Sequence, residues 1–315
     1  LRWRFTFLQH GVTKDDLSSW WNEKAIDNLI VAGEPELESI AADGTRYKFT
    51  DREVTLAGFP RHDRLRELRR VDERTKALVI MPTWRKYLAG DPVRGNRRQA
   101  NPRFYESEFA RRWRSLLHSD RLRSIVEERG WKVEFFPHAN LAPYLAWFDV
   151  PSYVRVGDHG RERSIQDVFV RAAVLVTDFS SVAFELAALG KPTVYYHFDA
   201  DAVFGGGHIG KRGYYDCERD GFGPVVGDED DVLDRLEELM RQTDPGQAYR
   251  PRMRRAIAFD DTGSRERVLR SILQLDAPEC DPLSLRRSRR RLLERAWQAE
   301  DWQMAAMAAE ALATD

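Results

Sequence analysis

The chain has 315 residues, room for about two domains. Its 50 Lys and Arg against 51 Asp and Glu give a net charge of −1, which excludes a uniformly basic nucleic-acid coat and an acidic disordered chain. Hydrophobic residues at 42% are enough for two buried cores, and charged residues at 32% promise a heavily charged surface. The two cysteines, Cys217 and Cys280, match neither a zinc spacing nor a disulfide framework, so a reducing compartment is expected. No apolar run approaches the ~20 residues of a membrane span. The chain begins at Leu1 in a strand-like run and reads as a piece of something longer.

In chain order, Trp3, Phe5 and Phe7 alternate with polar residues, which predicts a half-buried strand ending in a tight turn at Gln9-His10-Gly11. Residues 26–31 and 53–57 predict two more strands, and residues 63–74 a helix. Residues 76–81 form an apolar run stopped by Pro82. Residues 89–103, rich in Gly, Pro, Asn and Arg, show no period and read as a loop carrying Arg94, Arg97, Arg98 and Arg103. Residues 104–129 predict helix, interrupted near Asp120 and closed by Gly130. Strands are expected at 132–136, 174–177 and 193–197, and helices at 165–172, 180–189, 228–242 and 263–275. Strands alternating with helices predict α/β architecture with parallel sheets. Beyond Pro282 the arginines at 286, 287, 289, 290 and 291 crowd together, and an apolar-periodic helical tail follows.

Three strand ends carry polar residues: His10, His138, and the cluster Thr177-Asp178-Phe179-Ser180-Ser181. In open α/β sheets ligands bind at the carboxyl ends of strands. A helix directly after the serines would offer unpaired backbone N–H groups and a partial positive charge to a phosphate or diphosphate. A serine that only caps the helix is the plainer reading. An imidazole beside Gly11 suits general-base work, or is an ordinary turn histidine. No two histidines lie at i, i+3 or i+4 and no carboxylates cluster, so neither metal nor cofactor is expected. The arginine-rich loop would pair with phosphate or form a solvated face, and without aromatic interleaving it does not read as a nucleic-acid surface.

The order of the short blocks is specific. It runs Gln9-His10-Gly11 with Lys14; Gly58-Phe59-Pro60-Arg61-His62-Asp63; Pro82-Thr83-Trp84-Arg85; Pro137-His138; Thr177-Asp178-Phe179-Ser180-Ser181-Val182; Lys191-Pro192; Gly213-Tyr214-Tyr215-Asp216; and Gly221-Phe222-Gly223-Pro224-Val225. From about residue 7 to 275 the chain resembles the CDP-glycerol glycerophosphotransferases that polymerise teichoic acids and related capsules. The resemblance implies a GT-B fold of two Rossmann-like domains, to which the helical tail adds a short extension. The domains expected are 1–65 (the end of an acceptor domain), 66–280 (nucleotide-binding) and 281–315 (helical tail). It also implies transfer of polyol phosphate from CDP-glycerol or CDP-ribitol to a hydroxyl of a polyol-phosphate polymer or lipid-linked acceptor, with release of CMP.

On the same resemblance His10 would be the base and His138 would contact the diphosphate, with Thr177, Ser180 and Ser181 holding it. Lys14, Arg61, Arg85 and Asp178 complete the expected substrate-binding set. The reaction would run in the cytoplasm, with the arginines at 286–291 touching anionic lipid at the inner membrane face. Phe179 stands where the family motif has tyrosine and Glu185 where it often has aspartate. Two other readings share these features: a GT-B glycosyltransferase using a nucleotide sugar, and a non-catalytic binding module of a larger synthase. Glycerol versus ribitol, and the oligomeric state, are not legible.

Overall fold

The computed structural model describes residues 3–69, 76–91, 98–157, 164–207, 211–275, 290, 293–298 and 301–313. Arg94, Arg97 and all but Arg290 of the arginine run at 286–291 lie outside the described residues. Two compact units divide the chain. One comprises residues 1–64, 212–214 and 254–315, the other 65–211 and 215–253.

In the first unit three parallel strands, β1 (Thr6–Phe7), β2 (Asn28–Val31) and β3 (Val54–Leu56), pair in chain order. The strand expected from Trp3 shrinks to two residues, because Trp3 is exposed and Phe5 only partly covered. Trp21, Leu29, Val31, Ile40, Tyr47 and Phe49 form the core on β2. A helix the sequence reading did not mark, Glu34–Ala41, follows β2 and starts with Pro35 inside its first turn.

The helix Ser264–Gln274 joins this unit rather than the second domain expected to reach residue 280. Asn28 Nδ2 on β2 donates to Ser271 Oγ (2.9 Å), and the Asp63 carboxylate accepts from the backbone N–H groups of Ser264 (3.1 Å) and Arg265 (2.8 Å). These buried polar contacts tie residues far apart in sequence, and no local pattern announces them. The tail is likewise part of this unit: Met304, Ala305 and Ala308 of the helix Trp302–Ala313 pack on Ala296.

The second unit is a six-stranded parallel sheet. Its strands are β4 (Ala77–Met81), β5 (Lys132–Phe135), β6 (Val154–Val156), β7 (Ala172–Thr177), β8 (Thr193–Tyr196) and β9 (Val225–Val226), in the order β6-β5-β4-β7-β8-β9. The chain winds outward from β4 through β5 to β6, then returns beside β4 as β7 and winds the other way. The switch point of this doubly wound sheet therefore lies between β4 and β7. All five residues of β4 are buried, as a strand covered on both faces requires. The helical region expected at 104–129 is two helices, Glu108–Leu117 and Asp120–Glu128. Ser107 and Ser119 cap them, each side chain accepting from a backbone N–H of the first turn. Phe109, Trp113, Leu116, Leu122 and Val126 bury their apolar faces in the main core.

Candidate functional site

In the first unit β1 ends in the turn that carries His10. Gln9 occupies the left-handed region (φ 54°), a strained conformation for a residue with a side chain. The surroundings hold it there. Gln9 Nε2 donates to the Ile30 carbonyl (2.6 Å), its Oε1 accepts from Thr13 Oγ1 (2.7 Å), and its own carbonyl accepts from Arg61 Nη1 (3.1 Å). Glu36, fully buried on the helix Glu34–Ala41, accepts from the backbone N–H of Thr13 (2.7 Å) and of Ala32 (2.8 Å). Burial pushes the Glu36 carboxyl up to about 7, against the pull of those N–H groups, the Gln9 side chain and Arg61. His10 is exposed between these two anchored points.

Two residues expected to touch substrate here are turned to structural work. Lys14 is mostly buried and pairs with both oxygens of Asp15 (2.9 Å each). Arg61 lies over the Phe59 ring (3.9 Å) and reaches the Gln9 carbonyl, so it fixes the turn. Gly213 backs the same loop: a Cβ there would sit 2.3 Å from the Lys14 carbonyl oxygen.

In the second unit the residues at the strand ends gather at the sheet's switch point. After β4 come Thr83, Trp84 and Arg85, after β5 His138, after β7 Asp178 to Ser181, and after β8 His197 and Asp199. His138 is exposed; its backbone N–H donates to the Pro82 carbonyl (3.2 Å), which ties the end of β5 to the end of β4. Its Nδ1 accepts from the Asn140 backbone N–H (3.1 Å), so the neutral ring carries its hydrogen on Nε2, a donor. Trp84 lies beside it (ring centroids 6.2 Å apart), and the Arg98 guanidinium covers Trp84 at 5.3 Å.

Beneath the serine turn, Phe179 stacks on His197 (4.1 Å), and His197 Nε2 bonds the Asp178 carbonyl (3.1 Å). The helix after the turn is Val182–Ala187, six residues, shorter than the expected 180–189 because Ser180 and Ser181 form the turn itself. Ser180 Oγ accepts from the Val182 N–H (3.3 Å), and the Ser181 hydroxyl makes no capping bond. Both serines are half-buried.

A family model described as CDP-glycerol:poly(glycerophosphate) glycerophosphotransferase matches residues 6–274. The chain belongs to this family. It is 35% identical over 277 residues to the minor teichoic acid biosynthesis protein GgaB of Bacillus subtilis (strain 168), covering 86% of this chain and 29% of that protein. It is 32% identical over 85 residues to a teichoic acid glycerol-phosphate transferase of Staphylococcus aureus (strain NCTC 8325 / PS 47), covering 27% of this chain and 21% of that protein. The chain thus spans less than a third of the length of these curated relatives. Two solved structures of the wall teichoic acid polymerase TagF superpose with TM-scores of 0.56. One, 14% identical, covers 87% of this chain and 70% of that chain, and the other, 15% identical, covers 86% and 67%. At this identity the likeness shows the shared fold, α/β with parallel sheets of the GT-B kind.

Within this chain the motif residues divide into two roles. Arg85 was expected to contact phosphate, but its side chain is only 1% exposed. Its Nε and Nη2 grip Asp199 (2.7 and 2.9 Å), Nη1 donates to the Thr83 carbonyl (2.9 Å), and Nη2 lies 2.8 Å from Asp178 Oδ2. Burial works against its charge, yet the two carboxylates outweigh that and raise its pKa further above the ordinary value. Asp178 is consumed as well, its Oδ1 accepting from the N–H groups of Thr83 (2.9 Å) and Phe179 (2.8 Å). Thr177 is fully buried, and its hydroxyl donates to the Met81 carbonyl (2.6 Å). Thr177, Asp178 and Arg85 are therefore the scaffold that joins β4, β7 and β8, and Ser180, Ser181 and His138 stand at its surface. Sequence reasoning missed Glu36 and the clamping role of Asp199. Asp199 did follow a predicted strand, but nothing local tied it to Arg85, 114 positions away.

Proposed function

We propose that the chain transfers glycerol phosphate from CDP-glycerol to a hydroxyl of a growing teichoic-acid-like polymer and releases CMP. The family match across residues 6–274 carries the reading, because it includes both the His10 turn and the Ser180 turn. The acceptor oxygen forms a bond to the phosphorus that bears the glycerol. The anhydride bond to CMP breaks, and CMP leaves with its electron pair. His10 takes the hydroxyl proton, a role worth on the order of 10²–10⁴-fold.

Phosphoryl transfer otherwise depends on positioning and charge stabilisation. The buried trio of Arg85, Asp178 and Asp199 has no positive charge to spare for the diphosphate. That work falls to the Nε2–H of His138, the hydroxyls of Ser180 and Ser181, and the Arg98 guanidinium over Trp84. No metal-binding cluster of His, Cys, Asp and Glu occurs among the described residues. The acceptor would be a polyol-phosphate polymer or a lipid-linked primer at the inner membrane face. Among the described residues no helix is long and apolar enough to cross a membrane.

The test is mass spectrometry of products made by the chain from CDP-glycerol and a short glycerol-phosphate acceptor, with CMP release followed in parallel. His10→Ala and His138→Ala are each expected to abolish CMP release while thermal unfolding stays unchanged. Turnover close to that of the unsubstituted chain in both variants defeats the assignment. A preference for CDP-ribitol would keep the mechanism and change the donor, and turnover of UDP-sugars alone would replace it with glycosyl transfer.

A further inference from the structure

We propose that Glu36 is the positioning residue of the His10 turn, its ionised carboxylate holding the loop in the geometry that presents the imidazole. The inference rests on the reading of His10 as the base. The contacts are specific. Thr13 and Ala32 each donate a backbone N–H to a different Glu36 oxygen, at 2.7 and 2.8 Å. Gln9 and Thr13, which bracket His10, are joined side chain to side chain at 2.7 Å, so the residue whose backbone N–H Glu36 accepts also restrains Gln9. Glu36 thus holds the far side of the turn at the Thr13 N–H and, through the Thr13 hydroxyl, the Gln9 side chain, while Arg61 and the Ile30 carbonyl hold Gln9 directly. The left-handed backbone of Gln9 needs this restraint, since a residue in a sparsely populated conformation persists only where its surroundings over-determine it.

A proton on Glu36 lands on an oxygen that already accepts a backbone N–H, and so weakens one of the two anchors. Glu36 is completely buried, and its carboxyl titrates at about 7 rather than in the ordinary carboxylate range. The charged group that acts on it from the elements around it is Arg61, which favours the ionised form, and the Glu36 charge in turn helps to keep the Tyr47 phenol protonated, after burial as the main cause. The loop's own Lys14 is neutralised by Asp15. The ionisation of Glu36 thus falls where it changes the population of the anchored turn near neutral pH.

The full chain is assayed for CMP release from CDP-glycerol between pH 6 and 8.5 as unsubstituted protein, Glu36→Gln, Glu36→Asp and His10→Ala, with thermal unfolding of each. Misplacement of a catalytic group by about 1 Å costs up to ~10²-fold. Glu36→Gln is therefore expected to lower kcat at least ~10-fold at pH 8.5, with KM for the donor within ~2-fold. The gap should close toward pH 6, where the unsubstituted chain is itself protonated at Glu36. Glu36→Asp should restore part of kcat at high pH. A ratio that stays constant with pH, or no loss at all, overturns the proposal, while inactive His10→Ala leaves the base assignment standing. Active His10→Ala overturns both. Independently of any variant, the backbone amide resonances of Thr13 and Ala32 should shift together with a midpoint near 7, and their failure to titrate between pH 6 and 8 also overturns it.

Discussion

Arg85→Met tests whether the second unit is organised as described. The substitution keeps an apolar stem of similar length and deletes the guanidinium. It leaves Asp178, 0% exposed, and Asp199, 8% exposed, as two carboxylates without their cation. Removing one partner of a buried ion pair costs about 3–5 kcal/mol. At ~2–4 °C per kcal/mol for a domain of this size, the melting temperature should fall by roughly 6–20 °C. The loss of the Thr83 carbonyl contact acts in the same direction. Arg85→Lys should fall between the two, because one ammonium cannot span both carboxylates as the forked guanidinium does. The assay is differential scanning calorimetry of the free chain, paired with donor titration at a temperature where the variant is folded. If Arg85→Met melts like the unsubstituted chain but binds CDP-glycerol much more weakly, Arg85 is a phosphate ligand, and the internal clamp drawn here is wrong.

Thr177→Val keeps the volume and removes the bond to the Met81 carbonyl; it should cost about 1 kcal/mol in urea unfolding and leave donor KM unchanged, whereas a raised KM would return Thr177 to the substrate. Gly213→Ala drives a methyl to 2.3 Å from the Lys14 oxygen and should destabilise by about 1–3 kcal/mol and lower kcat, while an unaffected variant would mean that segment does not back the His10 loop. Glu36 gives the folding stability a pH dependence of definite sign. Its folded value is raised from 4.5 to about 7, so between those limits the folded chain holds a proton that the unfolded chain has released. Stability from this group is complete below pH ~4.5 and lost as pH rises through 7, by about 3 kcal/mol. Urea titrations at pH 5 and 8 should show that fall in the unsubstituted chain and not in Glu36→Gln, and an equal pH dependence in both would refute it.

The sequence by itself determined the period and the punctuation. Apolar runs such as residues 76–81 and 174–177 read as strands covered on both faces, which the structure sets at Ala77–Met81 and Ala172–Thr177, and Pro82 and Gly130 stop elements by covalent geometry. The ordered blocks around His10, His138 and Ser180 gave the family, because motif order survives in one dimension. Which motif residues are buried and which stand at the surface was decided only by the tertiary structure. Arg85 and Lys14 read as substrate contacts because charge is visible in a sequence and burial is not. Folding set Asp199 and Asp178 against the first and Asp15 against the second. Glu36 looked like an ordinary helix glutamate, and it became the anchor of the His10 turn when the helix Glu34–Ala41 placed it beside Thr13, 23 positions earlier. The return of Ser264–Gln274 to β2 was decided in the same way, since pairings across such separations repay their loop-closure entropy only once both partners are buried together.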